Sequence, residues 1–121
     1  MARILVVDDS PTETEAFRTM LEKNGHQVLS AENGADGVAL ARVELPDVVL
    51  MDIVMPGLNG FQATRQLTKD PATTHIPVII VTTKDQETDR VWGKRQGASG
   101  YLVKPVPEAT LLSEIKSVMA G

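Results

Sequence analysis

The hydrophobic residues of this 121-residue chain are concentrated in short continuous runs, and the segments between the runs carry apolar residues at helical spacing. Four runs rich in valine, isoleucine and leucine lack polar alternation, which predicts strands that are covered on both faces. They occupy residues 4 to 7, 48 to 51, 78 to 81 and 101 to 103, and His26 to Ala31 is a weaker fifth candidate. The pattern therefore predicts five strands.

The segments between these runs have the length and the end signals of helices. They are Pro11 to Asn24, Gly34 to Glu44, Gly60 to Lys69, Gln86 to Gln96 and Pro107 to Met119. Ser10 precedes a proline at the first helical position, and Gly25 and Gly97 stand where helices stop. Strands and helices thus alternate along the chain, which predicts an α/β fold with a parallel, doubly wound sheet and right-handed crossovers.

The helices should differ in how firmly they pack on the sheet. Apolar residues share one side of the first helix and one side of the last: Phe17, Met20 and Leu21 in the first, and Leu111, Leu112, Ile115, Val118 and Met119 in the last. The fourth helix offers only Val91 and Trp92 as large apolar groups. It also contains Gly93, which costs about 1 kcal/mol relative to alanine. We therefore predict that the fourth helix is the most loosely attached.

Length and composition indicate an ordinary globular domain. Residues 1–121 suit one domain without a second one, with 42% hydrophobic residues, 23% charged residues and a net charge of -4. Nothing basic suggests nucleic-acid binding, and the absence of cysteine excludes disulfides and thiolate metal sites. The first apolar run has four residues before two aspartates, too short for a signal peptide or a membrane span. The cytoplasm is the default location.

Polar side chains follow four of the predicted strands at the point where each strand ends. Asp8 and Asp9 follow the first run, Asp52 follows residues 48 to 51, and the hydroxyl residue Thr82 and the cation Lys104 end the two later runs. In a parallel, doubly wound sheet the ligand site lies beyond the carboxyl ends of the strands. The sequence therefore predicts one crevice that holds three carboxylates, a hydroxyl and a lysine.

Such a crevice suits a hard metal ion and a phosphoryl group. Converging carboxylates favour Mg²⁺, and the sequence has no His or Cys cluster for a softer metal. Lysine and threonine would neutralise and hydrogen-bond phosphoryl oxygens, while one aspartate attacks phosphorus. Each residue alone also has an ordinary structural interpretation as a helix cap, a turn acid beside Met55-Pro56-Gly57, a structural threonine or a solvated lysine. Their joint position at four strand ends favours the site.

Three segments resemble the receiver domain of bacterial two-component response regulators. They are residues 6 to 10 (VVDDS), 50 to 57 (LMDIVMPG) and 100 to 105 (GYLVKP), and the resemblance runs over essentially the whole chain. It implies a flavodoxin-like, CheY-like fold: a five-stranded parallel sheet in the order 2-1-3-4-5 with five helices on both faces. With no output region after Met119, the chain resembles a stand-alone receiver that signals by binding another protein.

The resemblance also assigns roles to the strand-end residues. It makes Asp52 the phosphoacceptor, and it places Mg²⁺ on Asp8 and Asp9 with help from Asp52 and the backbone carbonyl of Val54. Lys104 would contact the phosphoryl group. The resemblance also implies that the Lys104-Pro105 peptide bond is cis. In this interpretation Thr82 swings to hydrogen-bond a phosphoryl oxygen, and Tyr101 turns inward as the coupled aromatic switch.

The same resemblance implies partners and a pathway. A CheA-like histidine kinase would donate the phosphoryl group, and a downstream protein would bind the face from the fourth helix through Tyr101 to the last helix, where Trp92 lies. Residues 52 to 65 and 82 to 89 are similar to regulators of the chemotaxis-like pathway for type IV pili and twitching motility. A flagellar chemotaxis regulator of the CheY type remains an alternative, because those proteins share residues 97 to 101.

Two other classes of protein are alternatives for this pattern. An aspartate-based phosphohydrolase uses similar groups, but such enzymes commonly carry a second acid two residues after the nucleophile, where this chain has Val54. A flavodoxin-like cofactor binder is a weaker alternative, since one Trp and one Tyr offer little to hold a flavin. We therefore expect a signalling protein that catalyses only its own phosphorylation and a slow dephosphorylation.

Overall fold

The structure is a computed structural model, and it describes residues 1–120. Strands and helices alternate without exception: β1 (Arg3–Val7), α1 (Pro11–Glu22), β2 (Gln27–Ala31), α2 (Gly34–Glu44), β3 (Val48–Met51), α3 (Gly60–Lys69), β4 (Val78–Thr82), α4 (Glu87–Arg95), β5 (Gly100–Val103) and α5 (Glu108–Ala120). All neighbouring strands pair in parallel, in the order β2-β1-β3-β4-β5. The predicted fold and strand order are confirmed.

Two apolar layers cover the two faces of the sheet. The central strands β1, β3 and β4 are buried almost throughout, as their continuous apolar runs predict. On one face, side chains from α1 and α5, including Phe17, Leu21, Leu111 and Ile115, pack against β1, β3 and β4. On the other face, α2 and α3 bury their own apolar residues against alternate positions of the same strands. Burial of this kind fixes β1, β3 and β4, and hence the positions of the residues that follow them.

Short polar side chains fix where several helices begin. The Ser10 hydroxyl accepts from the backbone N–H of Glu13, and Asn33 and Asn59 cap α2 and α3 in the same way. The predicted bounds of α2 and α3 match the structure, whereas those of α1, α4 and α5 differ by one or two residues. Helix α1 stops at Glu22 rather than Asn24, and the chain then turns through Gly25, whose φ is +85°. Within residues 1–120, no helix combines the length and the apolar character needed to cross a bilayer.

Helix α4 is the least buried of the five, as predicted. Gly93 is its one buried residue, while Val91 and Trp92 are 44% and 49% exposed. A Cβ on Gly93 would lie 2.9 Å from Cδ1 of Ile80 and 3.3 Å from the ring of Tyr101. The glycine that costs helix propensity therefore lets α4 approach the sheet, an advantage that the sequence pattern did not reveal.

Candidate functional site

Three carboxylates meet beyond the carboxyl ends of β1 and β3. Asp8 is 3% exposed, the side chain of Asp52 is 11% exposed, and Asp9 is exposed at the rim. One carboxylate oxygen from each lies within 4.8 Å of the others. Backbone hydrogen bonds from the Asp8 N–H to Ala31 and from the Asp52 N–H to Val7 continue the strand ladders to these residues. The structure thus brings together the three acids that the sequence placed in one crevice.

Lys104 supplies the positive charge at the centre of this acidic pocket. Its ammonium lies 2.8 Å from Asp8 Oδ2 and 3.7 Å from Asp52 Oδ2, and its side chain is 10% exposed. A third carboxylate, Glu13 on the first turn of α1, lies 4.0 Å away. Burial alone would lower the pKa of Lys104, but the hydrogen bond to Asp8 and the charges of Asp52, Asp8 and Glu13 raise it above its usual value. The lysine therefore stays charged at neutral pH.

Asp52 occupies an environment that disfavours its negative charge. Burial raises the pKa of its carboxyl above the usual value; Lys104 opposes that shift, Asp8 adds to it, and a hydrogen bond from the Ile53 N–H to Oδ1 opposes it. The Ile53 bond, at 2.8 Å, also orients the carboxylate. A carboxylate that is weakly stabilised and held in one orientation is well suited to act as a nucleophile.

Two glycines that the sequence interpretation passed over hold the loop behind Asp52. The Gly60 N–H donates to the Ile53 carbonyl at 2.9 Å, and a Cβ on Gly60 would lie 2.0 Å from the carbonyl oxygen of Asp52. A Cβ on Gly34 would lie 2.4 Å from the carbonyl oxygen of Leu58 in the same loop. Contacts this close to backbone admit only glycine, so α2 and α3 clamp the loop that positions Asp52.

The predicted switch residues lie on β4, β5 and the loop between β4 and α4. Thr82 is fully buried, and its hydroxyl accepts from the Lys84 N–H at 3.3 Å. The Tyr101 hydroxyl donates to the Lys84 carbonyl at 2.8 Å, and the Arg90 guanidinium lies 5.1 Å from the centre of its ring. Thr82 and Tyr101 thus contact the same residue, Lys84, from its two backbone groups.

The environment of Tyr101 gives a prediction about pH. Burial and the charge of Asp89, opposed by Arg90 and reinforced by Asp85, raise its pKa to about 12 from a usual 10.0. The neutral phenol is the form that the folded state favours, so its contribution to stability is complete below pH 10.0 and is lost as the pH rises through about 12.

Tyr101 is the single tyrosine of the chain, so phenolate absorbance reports on it alone. We expect a native midpoint near 12 and an ordinary midpoint in concentrated urea, with circular dichroism recorded at each pH to confirm folding. A native midpoint at the ordinary value would show that the phenol is not buried beside Asp89 as the structure has it.

The acidic pocket also meets the requirements of a hard cation. Its donors are carboxylate oxygens on three residues, and a single ammonium opposes their charge. Oxygen-only donors beside solvent are the set that Mg²⁺ prefers, since it keeps several waters. Asp8, Asp9 and Asp52 fit such an ion. Val54, whose backbone carbonyl was the further expected ligand, follows Asp52 in the loop with a side chain that is 58% exposed.

Comparisons with known proteins agree with this geometry. A model of the response regulator receiver domain matches residues 4–116. Protein PilH of Pseudomonas aeruginosa is 78% identical over 121 residues, and the match covers all of both chains. Among solved structures, the chemotaxis protein CheY4 of Vibrio cholerae superposes with a TM-score of 0.91 at 31% identity over 98% of each chain. A CheY-like receiver domain protein from Methanospirillum hungatei has a TM-score of 0.91 at 28% identity, over 99% of this chain and 94% of its own.

The match to the receiver domain runs from β1 to α5 and so includes the three acids, Thr82 and Lys104. The resemblance inferred from the strand-end residues is therefore confirmed, and this chain belongs to the response regulator receiver domain family.

Proposed function

We propose that this chain accepts a phosphoryl group on Asp52 from a histidine kinase and, when phosphorylated, changes a protein-binding surface. The observation that carries the proposal is the position of Asp52: its carboxylate is nearly buried, lies 3.7 Å from the Lys104 ammonium, and shares an acidic pocket with Asp8 and Asp9. Receiver domains act with such kinases, so the family itself supports a phosphodonor of this class. CheA-like kinases are the donors that the sequence resemblance suggests.

The proposed reaction transfers the phosphoryl group from a donor to the carboxylate of Asp52. A carboxylate oxygen of Asp52 bonds to phosphorus while the bond from phosphorus to the donor, a histidine nitrogen or the acyl oxygen of acetyl phosphate, breaks. The Ile53 N–H holds the other Asp52 oxygen. Lys104 would shift its interaction from Asp8 toward the phosphoryl oxygens, and Thr82 would turn its hydroxyl to donate to one of them.

Mg²⁺ would be held by Asp8, Asp9 and Asp52, with the Val54 carbonyl as a further ligand. When bound there, it neutralises phosphoryl oxygens in the transition state. The residues of the chain do the remaining work. Lys104 keeps its proton and its charge. The close packing of Gly34 and Gly60 restricts the motion of the loop after Asp52 and so keeps the nucleophile in place.

The first test is chemical. Incubation with acetyl phosphate and Mg²⁺ is expected to add the mass of one phosphoryl group to the protein, and Asp52→Asn is expected to stay unmodified. Asp9→Asn is the comparison variant, because it alters the pocket at its exposed rim and leaves the nucleophile in place; it should react slowly rather than not at all. Equal phosphorylation of all three proteins would overturn the proposal.

Mg²⁺ should also stabilise the fold. It would bind the native acidic pocket and relieve carboxylate repulsion, and binding to the folded state alone adds about 2.7 kcal/mol when the free ion exceeds its dissociation constant 100-fold. We expect the melting temperature to rise with millimolar Mg²⁺ and to rise much less for Asp9→Asn. Sodium chloride of equal ionic strength is the control, and an equal rise with that salt would contradict specific binding.

The lifetime of the phosphoryl group should be long. Val54 lies two residues past Asp52 and has no polar group to orient a hydrolytic water, and Lys84, which is exposed beside Thr82, would screen the phosphoryl group. We expect Val54→Asn to lose acid-labile phosphate several-fold faster than the wild type, while Val54→Ala, the apolar control, keeps the original rate. A wild type that loses its phosphate as fast as Val54→Asn would disprove this role.

We place the signalling in the control of type IV pili and twitching motility. This part of the proposal rests on the 78% identity to PilH over both full chains, against 31% to the chemotaxis protein CheY4. The partner surface would run from α4 through Tyr101 to α5. Complementation of a Pseudomonas aeruginosa strain without PilH tests it: twitching should be restored by this chain and not by its Asp52→Asn variant. Restored swimming chemotaxis in a second strain that lacks its flagellar CheY, without restored twitching in the first, would favour the alternative.

A phosphohydrolase remains the second candidate only through the shared groups of the pocket. Its usual second acid would stand where Val54 is, and that side chain is apolar and 58% exposed. We therefore expect no turnover of p-nitrophenyl phosphate beyond one equivalent per chain. Continuous release of nitrophenol would establish the phosphohydrolase instead.

A further inference from the structure

A groove lies beside the edge strand β2, away from the acidic pocket. It has a volume of about 490 Å³ and is lined by Ser30, Ala31, Glu32, Asp36, Leu40 and Val43, with Ala39 among them. We call it the α2 groove. Val43 is 77% exposed, more than any other large hydrophobic residue except Met1. Asp36 lies seven residues before it, two turns away on the same helix face. The groove is therefore apolar along α2 and acidic at one end.

The Arg18 side chain covers part of the backbone beside the α2 groove. In the parallel pairing of β1 and β2, alternate residues of β2 point their backbone groups away from β1, and these belong to Val28 and Ser30. The Arg18 guanidinium donates to the Val28 carbonyl and to the Ser30 hydroxyl, both at 3.1 Å. It therefore occupies one outward backbone group and obstructs an added strand, so we expect a partner to be recognised in the α2 groove by side chains and charge.

The same chain carries a surface of the opposite character on α4. Val91 and Trp92 are about half exposed, and Arg95 follows them at helical spacings of four and three residues, so the three side chains share one face. We call this face the α4 ridge. Gly93, on the opposite side of α4, faces the sheet and is the one buried residue of the helix, while the ridge faces outward.

The two surfaces complement each other in charge and in polarity. Among residues 1–120, four charged residues of these surfaces form no ion pair within the chain: Glu32 and Asp36 in the groove, and Lys94 and Arg95 at the ridge. The nearby Arg42 is different, because it is paired with Asp70 at 2.7 Å. The C-terminal half of α4, with the half-exposed Trp92 beside Lys94 and Arg95, matches an apolar groove flanked by carboxylates, whereas Glu87 and Asp89 make the first turn of α4 acidic. Aromatic side chains beside arginine are also the groups that anchor interfaces.

From this complementarity we propose that the α4 ridge of one copy binds in the α2 groove of a second copy. The contact joins two different surfaces, so it is heterologous and builds open chains or closed rings rather than a two-fold dimer. None of its residues lies in the acidic pocket, but the α4 ridge is part of the partner surface proposed above, so self-association and a downstream partner would compete for it. One short helix forms the ridge, so the association should be weak, concentration-dependent and reduced by salt.

Analytical ultracentrifugation of the whole chain tests the proposal with two variants, one for each surface. Val43→Asn removes the exposed apolar side chain of the groove without adding charge, and Arg95→Glu reverses the charge of the ridge. The average mass of the wild type should rise with concentration and fall in about 0.5 M salt. Each variant alone should stay monomeric, because each lacks one of the two surfaces.

An equimolar mixture of the two variants decides the geometry. The intact ridge of Val43→Asn can enter the intact groove of Arg95→Glu, so the mixture should form a complex of one copy of each and no larger species. A wild type that stays monomeric at every concentration overturns the proposal. So does a Val43→Asn protein that self-associates normally, or a mixture in which no complex forms.

Discussion

Replacing Lys104 by methionine is expected to cost about 3 kcal/mol of folding free energy at neutral pH without Mg²⁺. The variant keeps the length and apolar stem of the side chain but removes the one ammonium in the acidic pocket. Asp8, which is 3% exposed and accepts a hydrogen bond from Lys104 at 2.8 Å, would be left without its cation, and Asp52 would lose a compensating charge at 3.7 Å. An uncompensated buried charge is among the most destabilising changes a fold can suffer.

Lys23→Met is a matched control for that experiment. Lys23 also forms an ion pair at 2.8 Å, with Glu108, but its side chain is 62% exposed, so its loss should cost less than about 1 kcal/mol. Urea unfolding at constant pH measures both variants. The Lys104→Met deficit should shrink when Mg²⁺ is added, because the ion restores positive charge to the pocket. Equal costs for the two variants would show that burial of Lys104 contributes nothing.

Asp52→Asn is expected to have two opposite effects, with phosphorylation abolished and the fold made more stable. Because burial raises the pKa of Asp52, the folded state favours its protonated form, and the ionised form costs stability at neutral pH. Asparagine removes the charge at nearly the same volume, which should add roughly 0.5–2 kcal/mol, the usual gain from correcting one unfavourable feature. The account thus predicts that the ionised carboxylate of Asp52, which the reaction needs, lowers the stability of the folded state.

The pH dependence of that gain follows from the direction of the pKa shift. The gain in stability is present at neutral pH. It disappears as the pH falls through the raised pKa of Asp52, because the wild-type carboxyl group then takes up a proton and loses its charge. Thermal melts in a chelating buffer at several pH values would measure it. Asp70→Asn is the control with the opposite sign, since hydrogen bonds from the Ala72 N–H and from Arg42 lower the pKa of Asp70. An Asp52→Asn protein that is less stable than the wild type would contradict the account.

Much of the fold could be predicted because its strands have two covered faces. Runs such as residues 78 to 81 lack polar positions, and the structure buries every one of them. The edge strand β2 was the weaker prediction for the same reason, since Gln27 and Ser30 are exposed and interrupt the apolar run. The site followed from topology, because parallel strands deliver Asp8, Asp52, Thr82 and Lys104 to one edge.

What the sequence did not reveal depends on contacts between distant segments. The sequence alone shows Glu13 as an ordinary acid in the first turn of a helix. Only the fold, which brings that turn near the residue after β5, places Glu13 within 4.0 Å of Lys104. Gly60 reads as a residue at a helix start, and its necessity appears only where α3 meets the Asp52 carbonyl. For Gly93 the sequence shows only the low helix propensity of glycine. The close approach of this residue to Ile80 depends on the fold and cannot be seen in the sequence.

The central claim, that Asp52 carries the phosphoryl group, is tested most directly by locating the modification. After reaction with acetyl phosphate and Mg²⁺, borohydride reduces an aspartyl phosphate to homoserine, and peptide mass spectrometry identifies the altered residue. The account predicts homoserine at position 52 and unmodified aspartate at positions 8 and 9. Homoserine at Asp8 or Asp9, or an Asp52→Asn protein that still gains a phosphoryl group, would contradict it.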